Sequence, residues 1–236
     1  MVLTFGTAVS GSWFTVDAIA HADTFQVNEV RIVGAEKAPT GQLRHLANVE
    51  PGTHLFRADL SAAIRGVEAH PWVEKASARR LFPGAVEIQV REHKPGLLLA
   101  LNDLWMVSES GAVFKRAHSS ALDYPVLTGL SPAMTEEHPR VARAIIDDAL
   151  KVIKAVDGDE HIAINDLSEI HFDSTAGYSL VMRSGSRVVL GFADPYVALD
   201  RLSRMREQGL SLDTPQHVDL DVGTVAVVTL LQSPSQ

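Results

Sequence analysis

Cysteine is absent from all 236 residues. That absence excludes disulfide scaffolds, thiolate zinc sites and cysteine nucleophiles together. It is compatible with an oxidising compartment without requiring one. Basic charge is scarce as well: 21 Lys and Arg stand against 29 Asp and Glu, for a net charge of −8 and a pI near 5.6. No general electrostatic attraction to nucleic acid or anionic lipid follows from such a balance. The chain also lacks low-complexity tracts and solenoid repeats. With 46% apolar and 21% charged residues it can bury one large core or two small ones, which excludes disorder, collagen and coiled-coil architectures.

The motifs of common enzyme chemistry are missing too. There is no P-loop, G-x-S-x-G elbow, H-E-x-x-H pair or G-x-G-x-x-G turn. The ten histidines are scattered, with His45, His54, His70 and His93 in different predicted elements, so ligand spacing for a metal is not met. The acidic loop Asp157-Gly158-Asp159-Glu160-His161 lacks the spaced oxygens of a calcium site and reads as a solvated turn. Asp219 and Asp221 alternate along a strand and read as solvent-side charges. No catalytic, cofactor or metal site is expected.

Residues Met1 to Val16 carry no charge, and Asp17 is the first ionisable side chain. Spanning a bilayer takes about 20 apolar residues, so the run is short, and Gly6, Ser10, Gly11 and Ser12 dilute it. Three interpretations fit the composition. The run is the outer half of a membrane anchor whose cytoplasmic start precedes this sequence, a signal peptide cut after Ala20-His21-Ala22, or a frayed soluble terminus.

Periodicity then lays out the elements. Phe25 to Gly34 reads as a strand. Pro39-Thr40 opens a helix with Leu43, Leu46 and Val49, ended at Pro51-Gly52. A second helix is expected from Arg57 to Ala69. Strands follow near Glu74 to Arg80 and at Val86, Ile88 and Val90, which alternate strictly with Glu87, Gln89 and Arg91. Trp72 beside Pro71 reads as an aromatic plug in the core. Arg79-Arg80 is either a solvated pair or a contact for a recruiting partner. Strand, helix, helix, strand, strand over about 70 residues implies a two-layer α+β unit.

After Pro95-Gly96 short strands are expected at Leu97 to Leu101, Leu104 to Val107 and Ala112 to Lys115. A long helix follows Pro139, with Ile145, Ala149, Val152 and Val156 in its stripe and Gly158 as its stop. Strands return at Ile162 to Asn165, Glu169 to Asp173, Ser179 to Arg183 and Arg187 to Gly191. Asp194-Pro195 opens a helix striped by Tyr196, Leu199, Leu202 and Met205. The last element, His217 to Leu231, breaks at Gly223. Its second half, Val225 to Leu231, is uncharged and strongly β-forming. Such a run is either a buried central strand or an edge that something covers, because a bare edge of this kind aggregates.

The runs Pro71-Trp72-Val73-Glu74-Lys75-Ala76, Arg79-Arg80-Leu81-Phe82-Pro83 and Val86 to Glu92 with Pro95 resemble the POTRA domain of the FtsQ/DivIB family. Val30-x-Ile32-x-Gly34 and Gly52-x-x-Leu55-Phe56-x-x-Asp59-Leu60 fit the same template. The likeness continues through Val107, Gly111-x-Val113-Phe114, Pro125-Val126-Leu127-x-Gly129, Glu169-Ile170-His171, Val189-Leu190-Gly191 and Val218-Asp219-Leu220.

The resemblance implies an α+β fold. A POTRA domain (β-α-α-β-β, residues 25–95) would be followed by a mostly antiparallel β domain with flanking helices (96–231). A partial anchor (1–24) would precede them and a tail (232–236) would follow. It further implies a non-enzymatic scaffold of the bacterial division septum, single-pass in the inner membrane through its N-terminal anchor, with most of the chain periplasmic. Its partners would be FtsB and FtsL and other divisome membrane proteins, with no nucleic acid and no cofactor. A partner strand would add at Val218, Leu220, Asp221, Val225 and Val227, the charged half setting the register. Arg79 and Arg80 would lie on a recruitment face.

Three positions depart from the family pattern. His93 stands where an Arg usually follows the Glu, Ser108 replaces a hairpin Asp, and Asp221 replaces an Arg in the final D-L-R. An alternative of a different class is a POTRA-containing chaperone or translocation module for outer-membrane or secreted chains. Such domains come in tandem or precede a long barrel, and this sequence shows neither.

Overall fold

The computed structural model describes residues 25–117, 123–160, 162–192, 194–221 and 226–230. They fall into two compact units that part between His93 and Lys94. In the first, the strictly alternating segment becomes β3, Ala85–Glu92, and the order along the chain is β1 (Glu29–Val33), α1 (Thr40–Ala47), α2 (Leu60–Glu68), β2 (Val73–Leu81), β3. β3 lies at the centre of a three-stranded sheet, parallel to β1 and antiparallel to β2. Val86, Ile88 and Val90 turn to the core, where they join Leu43, Leu55, Ala63, Val67 and Val73. Trp72 packs half-buried against this core, as a plug should.

Two local features shape the helices. The second helix starts at Leu60 rather than Arg57, because the Asp59 carboxylate accepts from the Ala62 amide and caps the first turn. Leu55, upstream of that cap, is pulled into the core as part of a loop. Where α1 and α2 cross, a β-carbon on Gly66 would stand 2.0 Å from the Leu46 carbonyl oxygen, so only glycine allows the approach.

The second unit is built on one nine-stranded sheet. Its strands are β4 (Pro95–Ala100), β5 (Leu104–Ser108), β6 (Val113–Arg116), β7 (Val126–Thr128), β8 (Leu167–Asp173), β9 (Gly177–Met182), β10 (Arg187–Gly191), β11 (Gln216–Asp219) and β12 (Val227–Leu230). The spatial order is β12-β11-β10-β9-β8-β7-β4-β5-β6. Antiparallel pairs dominate, with parallel pairing at β4–β7, β7–β8 and β10–β11. The helices are α3 (Pro132–Glu137), α4 (Pro139–Asp157) and α5 (Pro195–Glu207).

The apolar stripe of α4, from Ala142 through Ile145, Ala149 and Val152 to Val156, packs with Leu97, Leu127, Ile170 and Leu180 in one core. Residues one step along those strands lie on the other face. There Thr128 Oγ1 sits 2.5 Å from Glu169 and 2.7 Å from His171, which keeps that face polar at its centre.

Two expectations fail locally. Ile162 to Asn165 is not a strand: the Asp159 carboxylate accepts from the Ile162 amide at 3.0 Å, and a 3₁₀ turn follows at Ile164–Asp166. A side chain that bonds nearby backbone pulls the chain off an extended path. In α5 the buried face is Ala198, Leu199 and Leu202, while Tyr196 is exposed. Asp194 spends its carboxylate on the Tyr196 amide, so Tyr196 lies in the first turn, outside the stripe.

Candidate strand-edge interface

β11 is bonded on both sides. β10 runs parallel to it, with Val188 opposite Val218. β12 runs antiparallel to it, with Val218 opposite Val228 and Asp219 opposite Val227. No described strand pairs with the outer edge of β12. Val227, Val228, Thr229 and Leu230 are all exposed, Leu230 at 74%. Among the described residues β12 is therefore an edge strand, and the amides and carbonyls on its outer side form a template for another strand.

The sequence-predicted site residues separate into groups. Val218 and Leu220 are core residues, so their side chains do not face a partner. The Leu220 amide donates to the Val189 carbonyl at 2.9 Å, and the Arg201 guanidinium donates to the Leu220 carbonyl at 2.9 Å. Asp221 is exposed just past the end of β11. Its amide donates to the Asp219 carboxylate, and its side chain covers Gly191, where a β-carbon would lie 2.0 Å from its Oδ1. Val227 stands on the open edge. Val225 lies outside the described residues.

Sequence reasoning did not single out Val228 and Leu230 on that edge, nor Phe192, Tyr196 and Val197, exposed at the junction of β10 and α5. The uncharged run pointed to the first pair. Nothing in the periodicity separates an exposed Val from a buried one.

The arginine pair of β2 divides as well. Arg79 donates from Nε to the Glu87 carboxylate at 2.7 Å and is largely exposed, while Glu87 is almost covered. Arg80 is no free surface cation. It is half-buried and donates to the Leu55 and Ala58 carbonyls at 2.7 and 2.8 Å, clamping that loop to the sheet. Among the described residues no group of three His, Asp or Glu side chains could hold a metal ion.

Two family models match the chain. One, described as POTRA domain, FtsQ-type, covers residues 25–93, and the other, Cell division protein FtsQ/DivIB, C-terminal, covers residues 98–221. The chain belongs to the FtsQ/DivIB family of cell-division proteins.

The Cell division protein FtsQ of Anaeromyxobacter sp. (strain K) is 34% identical over 185 residues, 78% of this chain and 63% of its own length. That of Syntrophotalea carbinolica is 29% identical over 228 residues, 95% of this chain and 81% of its own. The chain thus spans less than two thirds of the Anaeromyxobacter relative. A solved structure of the major extracytoplasmic domain of DivIB from Geobacillus stearothermophilus is similar over 51% of this chain and 99% of that one, at TM-score 0.33 and 17% identity.

The FtsQ/DivIB departures have local physical accounts. The Ser108 hydroxyl accepts from the Ala112 amide at 3.0 Å, taking the hairpin-closing role that a carboxylate could play. The preceding family Glu, Glu92, accepts from the amides of Glu36, Lys37 and Ala38 at 2.8–3.1 Å and pins the β1–α1 connection. His93, in the place of the usual Arg, has its pKa lowered by burial, with Glu74 acting weakly in the opposite sense.

Proposed function

We propose that this chain is a non-enzymatic scaffold of the division septum that binds FtsB and FtsL by strand addition at the outer edge of β12. In this reading residues 1–24 form a partial anchor segment whose uncharged run, residues 1–16, is the outer part of an inner-membrane anchor, residues 25–95 the POTRA domain, residues 96–231 the partner-binding β domain and residues 232–236 a tail. Both units lie in the periplasm and engage further divisome membrane proteins. No helix among the described residues is long and apolar enough to cross a membrane. The anchor is therefore assigned to the uncharged N-terminal run.

The observation that carries the proposal is the unpaired, apolar β12 edge. Four β-forming residues left exposed at a sheet edge invite association. A partner strand supplies the missing hydrogen bonds, and Val227, Val228 and Leu230 supply side-chain contacts. Val218 contributes from the core, as the buried residue opposite Val228 in the β11–β12 pairing. The matched pair of family models favours this role over a translocation module. Partner association through other surfaces of the chain fits the exposed Arg79 better than the clamped Arg80.

The test is co-purification of the full chain with FtsB and FtsL. Val228→Lys or Leu230→Lys places a charge in the added-strand interface and is expected to weaken binding at least about tenfold, equivalent to ~1.4 kcal/mol. Undiminished co-purification by a folded variant overturns the β12 assignment.

A further inference from the structure

One end of the first unit carries an aromatic tip. Three separate stretches meet there: Phe25 at the entry of the chain, His54 and Phe56 in the loop before α2, and Phe82 in the β2–β3 turn. The Phe25, Phe56 and Phe82 ring centroids lie 5.6–6.3 Å apart, and His54 lies 5.7 Å from Phe56. The backbone locks the stretches together: the Leu55 amide donates to the Phe25 carbonyl at 2.7 Å, and Gln26 bridges to His54. The tip is not a buried core. Phe56 is 54% exposed and Phe82 is 64% exposed. Both His54 ring nitrogens are shut off from solvent without a hydrogen-bond partner.

The occupant is indicated by where the tip sits in the chain. The uncharged run ends at Val16, and nine residues further on is Phe25, part of the tip itself. At 3.3–3.6 Å per residue, the tip lies within about 30 Å of the end of that run however the link is arranged. With that run in a bilayer, the tether holds the rings next to the lipid surface at high effective concentration, where even weak insertion is populated. The net charge of −8 gives no general Coulomb attraction to anionic headgroups, so apolar contact must do the work.

We propose that Phe25, Phe56 and Phe82 form a membrane-interface wedge that seats the first unit on the lipid surface and sets its orientation there. This rests on the reading of residues 1–16 as a membrane anchor, and it adds a second, reversible contact made by the folded unit itself. The seat is apolar rather than electrostatic, so it persists in high salt.

The absence of cysteine makes the test direct, because one introduced thiol labels one site. The full chain, carrying a nitroxide on Phe82→Cys, is reconstituted in vesicles of phosphatidylethanolamine and phosphatidylglycerol. The expected result is greater collision with oxygen, which partitions into lipid, than with an aqueous nickel chelate. A label on Lys75→Cys, exposed on β2 of the same unit, should show the reverse. Adding Phe56→Ser should abolish the lipid signature at position 82, while resistance to carbonate extraction is retained.

Position 82 as open to the nickel chelate as position 75, in a chain that resists extraction, overturns the wedge and leaves the anchor standing. Shielding from both probes would put protein on the tip and overturns it too. A chain that carbonate removes overturns anchor and wedge together.

Discussion

Val218 and Val228 lie directly opposite each other across β11 and β12, on the same face of the sheet, yet one is completely buried and the other is 43% exposed. Val218 belongs to the same core as Ala198, Leu199 and Leu202 of α5, and Val228 does not. One strand's width separates a core residue from a docking residue of the same type. Val218→Ala should cost about 1–3 kcal/mol through the cavity it leaves. Leu230→Ala should change stability by no more than about 0.5 kcal/mol. Urea denaturation of the two variants checks the contrast, which inverts when partner binding is measured instead.

Asp221 lies just past the end of β11, one strand in from the proposed binding edge, with its carboxylate against Gly191 of β10. Under strand addition its charge would act on the partner through space rather than by contact. Asp221→Arg is expected to weaken partner binding in low salt and to do so less as salt rises. Equal binding by the two proteins at every ionic strength would remove Asp221 from the interface.

Glu92 holds three consecutive backbone amides with one carboxylate. Glu92→Gln keeps the shape but loses the charge that strengthens these bonds, at an expected cost of about 1–2 kcal/mol. Hydrogen exchange should localise the damage, with the amides of residues 36–38 losing protection first.

Gly66 sets two effects against each other. Alanine is the better helix former by about 1 kcal/mol. Its β-carbon, however, would meet the Leu46 carbonyl, part of the backbone of α1 and unable to rotate away. The clash should win, and Gly66→Ala should lower stability by about 1–3 kcal/mol. A rise in the thermal midpoint would show that the helices can part without cost.

His93 supplies a pH dependence. Burial lowers its pKa in the folded chain, so the folded state resists a proton that the unfolded chain accepts below the ordinary histidine value of about 6.5. Between the folded pKa and 6.5 the unfolded chain binds more protons, and stability therefore rises with pH through that window. The contribution is complete above 6.5 and is lost as pH falls. His93→Gln should flatten this part of the stability profile, measured by urea denaturation from pH 5 to 8.

Much of the fold was legible because it is written locally. The Val86-Ile88-Val90 alternation, the stripe of α4 with its Gly158 stop, and the Asp194-Pro195 start are each contained within a few turns of chain. The misreadings came from side chains turning back on nearby backbone, as Asp159 does before the 3₁₀ turn and Asp59 does at the start of α2. Arg80 was misjudged for a different reason, since its carbonyl partners lie 22 and 25 residues away.

The sequence by itself determined the chemistry available to this protein: no thiols, no recognisable catalytic motif, an uncharged start and an uncharged β-forming run near the end. Those are properties of composition and order, and folding cannot alter them. Tertiary structure alone decided that Val227–Leu230 of this run form the outermost described strand of a nine-stranded sheet. It also decided that Phe25, Phe56 and Phe82 meet at one tip. Strand order and the convergence of distant loops depend on non-local packing, and a local pattern of apolar residues is the same whether its strand is covered or left bare.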